Sequence, residues 1–159
     1  MKEAILQADP PADISVAIAW IHMLPPDNAA AARRMALALR DPRVQHFHDP
    51  HKRAGAAVAG SLGAAEKLAW DIYLFYPAGV GWQYGPPRPV MWVHQLKGSS
   101  WADPSRHHRG EELVRHLEMA LVKLRTCSEM ARLPSELRES DVMADEVWEL
   151  SRNAIEARA

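Results

Sequence analysis

The segment Ile14-Ser15-Val16-Ala17-Ile18-Ala19-Trp20-Ile21 constrains the fold most. It is rich in β-branched residues and apolar on both alternating faces. A strand facing water on one side alternates apolar with polar. A strand covered by helices on both sides does not, and parallel sheets read this way. Met23-Leu24-Pro25-Pro26-Asp27 closes the run. The chain has 159 residues, one domain's worth, and 48% are hydrophobic. A domain of this size buries roughly 70% of the surface its unfolded chain exposes, enough for a core without staples.

The remaining elements follow in order. Residues 2–8 resemble the end of a helix, stopped by Asp9-Pro10-Pro11. A helix is expected over 28–40, capped by Asp27 or Asn28, with Ala32, Met35, Ala36 and Leu39 as its apolar stripe. Val44 to His48 forms a short alternating strand. Asp49-Pro50 then signals an N-cap and first helical position, for a helix reaching Leu62 with Gly63 suited to the left-handed C′ position. Trp70 to Tyr76 and Val90 to Leu96 are strands. Only a Gly- and Pro-rich loop joins them, so they pair antiparallel. Residues 110–125 form an amphipathic helix with Leu113, Leu117, Ala120, Leu121 and Leu124 on one face. A last, weakly apolar helix is expected over about 136–157. The organisation expected is a domain over 1–133 and a helical extension over 134–159.

Composition excludes several classes. The net charge of -1 makes no basic field for nucleic acid. No run approaches the roughly 18 apolar residues of a membrane span, and no signal-peptide core fits the first residues, so the expected compartment is the cytoplasm. Cys127 is the only cysteine, which forbids an internal disulfide and a Cys-rich zinc site within one chain. Arg125 beside it could favour its thiolate; an inert thiol is the alternative.

Two consecutive β-α units, a β-hairpin and a terminal helix resemble the thioredoxin-like fold. The phrases Trp20-Ile21-His22-Met23-Leu24-Pro25-Pro26-Asp27, Asp41-Pro42-Arg43-Val44, His46-Phe47-His48-Asp49-Pro50 and Ala69-Trp70-Asp71-Ile72-Tyr73-Leu74-Phe75-Tyr76 look like a group of bacterial thioredoxin-domain proteins. The resemblance covers about residues 1–125 and concerns scaffold rather than chemistry. It implies an α/β domain whose mixed sheet carries helices on both faces. It also implies a redox Cys-x-x-Cys, where a helix N-terminus activates one thiol and a second cysteine resolves the mixed disulfide. This chain has neither cysteine of that pair. Leu68-Ala69 stands where the family places a cis-proline. No catalytic residue carries over. The N-terminal redox βα unit is therefore expected to be absent, leaving the 14–21 and 70–76 strands to pair directly or to accept a partner strand.

Three functional expectations follow. The first is a non-catalytic, redox-inactive binding or assembly module, working as a homodimer or with a protein partner. The second is a fragment of a thiol-disulfide oxidoreductase whose Cys-x-x-Cys lies upstream. The third is a metal protein using His46, His48 and His51 for a divalent transition metal, with a solvated strand end as the alternative. A pocket lined by Trp20, His22, Trp70, Asp71, Trp92 and His94 is a further possibility, against plain aromatic packing. Asp71, inside an apolar run, would need a partner or a raised pKa if buried. His107 and His108 are adjacent, so their side chains diverge. They would meet an anion at the start of the helix from Gly110, or line a solvated loop.

Overall fold

The computed structural model describes residues 5–7 and 14–132, with side chains through 126. The expected helix over 136–157 and the 134–159 extension lie outside these residues, as does the Cys127 side chain. The chain is mixed α/β. β1 is Val16–Ile21, α1 Ala29–Ala38, β2 Val44–Asp49, α2 Arg53–Ser61, β3 Ile72–Phe75 and β4 Met91–His94. A short 3-10 turn at Pro104–Arg106 precedes α3, Gly110–Arg132. Among the described residues, no helix is long and apolar enough to cross a membrane.

The strands form two separate pairs. β1 and β2 run parallel, with Val16 opposite Val44 and Ile21 opposite Asp49. β3 and β4 run antiparallel, with Ile72 opposite His94 and Phe75 opposite Met91. The sequence supplies the reason for each geometry. A helix separates β1 from β2, whereas a loop alone separates β3 from β4.

One core unites the pairs. Leu117, fully buried in α3, packs in a cluster with Leu113, Ala120, Leu121, Phe75, Val93, Ile5 and Leu6. Val16 of β1 and Val44 of β2 lie against the same cluster. On the other side α2 makes a second cluster of Val58, Ala59 and Ala69, joined by Ile72, Leu74 and Trp101. β3 and β4 are thus enclosed on both faces.

α2 approaches closely because Gly55 has no side chain. A Cβ there would stand 2.6 Å from the Ala69 carbonyl oxygen and 3.0 Å from Ile21 Cδ1. The helix ends in a Schellman motif: the Gly63 amide donates to the Gly60 carbonyl and the Ala64 amide to the Ala59 carbonyl. Gly63 takes φ +83°, as its sequence position suggests.

Three local expectations need correction. β2 continues through Asp49, and α2 begins only at Arg53, after Lys52 in the left-handed region. Asp49 still serves the helix, because its carboxylate accepts the Ala54 amide at 2.7 Å. Asp71 is not in the strand. It is exposed, with φ 47°, and its carbonyl accepts the Gln95 amide. A buried acid–base role for Asp71 falls with that exposure. Finally, β1 is not covered on both sides along its length: Ala17 and Ala19 are exposed, and Phe47 of β2 is 53% exposed.

Candidate functional site

Backbone parity defines the edges of the two strand pairs. The Val16 amide donates to the Arg43 carbonyl and the His22 amide to the Asp49 carbonyl. Even-numbered amides of β1 therefore face β2, and those of Ala17, Ala19 and Ile21 face the opposite edge. In the other pair the Gln95 amide donates to the Asp71 carbonyl, so Ile72 and Leu74 turn their amides away from β4. Among the described residues, β1 and β3 share no ladder. The outer edge of β1 borders the face of β1 and β2 on which Ala17, Ala19 and Phe47 are exposed.

The residues of the sequence-derived pocket divide between the two strand pairs. The Trp20 indole N–H donates to His46 Nδ1 at 3.2 Å, the rings stacked 6.0 Å apart. Trp92 belongs to the other strand pair, stacked on His94 at 5.6 Å with the Arg106 guanidinium 4.9 Å from its ring centre. His22 is half-buried, and Trp70 is 39% exposed. His94 is structural. Its Nδ1 accepts the Leu96 amide at 3.1 Å, so Nε2 donates to the Asp103 carbonyl at 2.9 Å.

The His46, His48 and His51 set is likewise dispersed. His46 Nδ1 is an acceptor for Trp20, and its Nε2 lies 3.4 Å from the Leu39 carbonyl. Neither nitrogen offers a free lone pair. His48 and His51 are exposed, and the three do not bring their ring nitrogens together.

A different trio does. Among the described residues, only His108, Glu112 and His116 bring ligand atoms within 4.8 Å of one another. His108 lies just before α3, held by its own amide donating to the His94 carbonyl at 3.0 Å. Glu112 and His116 follow at spacings of four along the helix, so they share a face. The His108 and His116 rings stack 3.6 Å apart at 10°. His108 Nδ1 is 3.2 Å from Glu112 Oε1 but makes no hydrogen bond, although His108 is only 8% exposed. Burial pushes the His116 pKa down. His108 adds to this, Glu112 opposes it, and Arg115 lowers it further. His107 turns elsewhere, its ring 5.6 Å from that of His94.

Comparison with protein-family models, with curated proteins and with solved structures returns no match.

Proposed function

We propose that the chain is a non-catalytic, thioredoxin-like binding module that associates with a second copy of itself through the open edge and face of β1 and β2. The order β-α-β-α-β-β-α supports the thioredoxin-like reading. So does the placing of α2 and α3 on opposite sides of the β3–β4 pair. The observation that carries the function is the outer edge of β1, which has no ladder partner among the described residues, beside exposed Ala17, Ala19 and Phe47. Unpaired strand edges recruit strands, and near-zero net charge does little to keep copies apart. A thioredoxin-type dithiol reaction has no resolving cysteine here, since Cys127 stands alone.

Light scattering across a dilution series tests this. A dimer that dissociates on dilution is expected. Ala19→Lys and Phe47→Glu, both at exposed positions, should weaken association about tenfold or more, equivalent to about 1.4 kcal/mol, with an unchanged circular dichroism spectrum. A strict monomer at every concentration overturns the proposal, as does undiminished association in both variants.

A further inference from the structure

We infer that His108, Glu112 and His116 form a binding site for one divalent transition-metal ion of the zinc type. The site is independent of the association proposed above. Two imidazoles and a carboxylate suit Zn²⁺ or Co²⁺, and three protein ligands leave one position open to water. The first supporting observation is the convergence of three donors, two from one face of α3 and one from His108 two residues before it. The second is His108 Nδ1: it is buried and makes no hydrogen bond, although the Glu112 carboxylate lies 3.2 Å away. A buried ring nitrogen without a hydrogen bond is costly, and a metal ion would satisfy it.

The geometry also says what binding must change. Imidazole lone pairs lie in the ring plane, and these two planes are nearly parallel. They do not converge while the rings are stacked. An ion must splay them, by rotation of the His116 ring about its Cβ–Cγ bond. Two donors about 2.0–2.2 Å from a tetrahedral zinc stand roughly 3.4 Å apart. The trio's donors already lie within 4.8 Å of one another, so side-chain rotation closes the set without moving the helix. Glu112 has a side chain 53% exposed, which gives the ion a way in from solvent. The bound ion would tie the start of α3 to the residue that bonds β4.

Calorimetric titration of the full chain with Zn²⁺, and visible absorption with Co²⁺, test the site after chelator treatment. One ion per chain is expected, with a tetrahedral cobalt spectrum and a shift of the His108 and His116 ring protons as the stack opens. Glu112→Gln and His116→Gln should each weaken binding at least about tenfold, the minimum seen when support for a metal ligand is lost. Glu112 is exposed enough that its variant keeps the fold, which circular dichroism verifies. His48→Ala should bind as wild type. No uptake by the wild type overturns the inference. So does wild-type affinity in both Gln variants, or an equal loss in His48→Ala.

Discussion

The two strand pairs are built from similar residues yet are covered very differently. β3 and β4 lie between two helices, with Phe75 and Val93 on the α3 side and Leu74 on the α2 side. β1 and β2 meet the α3 cluster through Val16 and Val44, and leave Ala17, Ala19 and Phe47 in solvent. The difference lies in where the loops send the helices. α2 reaches β1 at Ile21, near the strand's end, and its buried face turns to Ala69 and β3. Apolar content therefore marks a strand without saying that both its faces are enclosed. The uncovered pair is the one with surface left for a partner.

The comparison breaks first at Leu117. Because it is fully buried in the cluster that both pairs share, Leu117→Ala should cost about 3–4 kcal/mol and unfold both pairs in one transition, read by urea denaturation. Separate transitions would show that the pairs are independent. Gly55→Ala comes next. Its methyl would meet the Ala69 backbone oxygen, which cannot swing aside as a side chain would. A loss of about 2–3 kcal/mol is expected, and a neutral result would show that α2 is held loosely. Val93→Ala against Val44→Ala sharpens the contrast in burial. Val93 is 2% exposed and Val44 half-buried, so losses of about 2 and about 1 kcal/mol follow. Equal losses would erase the contrast.

The smallest expected effect concerns the clip at the start of β2. Arg43 donates from Nη2 to the Leu6 carbonyl at 2.7 Å and to Asp41 at 2.8 Å. Hydrogen bonds from the Arg43 side chain and amide bring the Asp41 pKa from 3.8 to about 2. A carboxyl depressed in the folded state stabilises fully above its unfolded value, and that contribution is lost as pH falls through the folded value. Carboxyl-carbon NMR should give an Asp41 midpoint near 2, moving back up in Arg43→Ala. An unchanged midpoint in that variant would remove Arg43 as the cause.

Much of the scaffold was legible in the chain because periodicity and punctuation are local. The four strand segments, the Asn28 cap, whose side chain accepts the Ala30 and Ala31 amides, and the α3 stripe all follow from neighbouring residues. Asp49-Pro50 misled because a carboxylate can reach a helix from the end of a strand, across a left-handed Lys52. Asp71 misled because composition does not report a positive φ. The pairing of β1 with β3 was legible only as a question, since strand partners are settled by contacts between distant parts of the chain. In the histidine cluster from 46 to 51, His46 is spent on indole and carbonyl bonding, and His48 and His51 lie in solvent. The trio at 108, 112 and 116 was hidden by a boundary: reading 107–109 as loop and 110 onward as helix divided a spacing of four that runs through both. Extending helical spacing one turn beyond an expected helix start would have revealed it.

His94 links three elements. With one ring nitrogen accepting from Leu96 and the other donating to Asp103, it acts as a buckle across the bend between β4 and the 3-10 turn. Its own carbonyl then receives the His108 amide. Strand, bend and helix start are thus fastened at one point, so α3 inherits its setting from a single residue. Length changes in the bend should be absorbed locally while that fastening holds, and transmitted along the whole of α3 once it is cut.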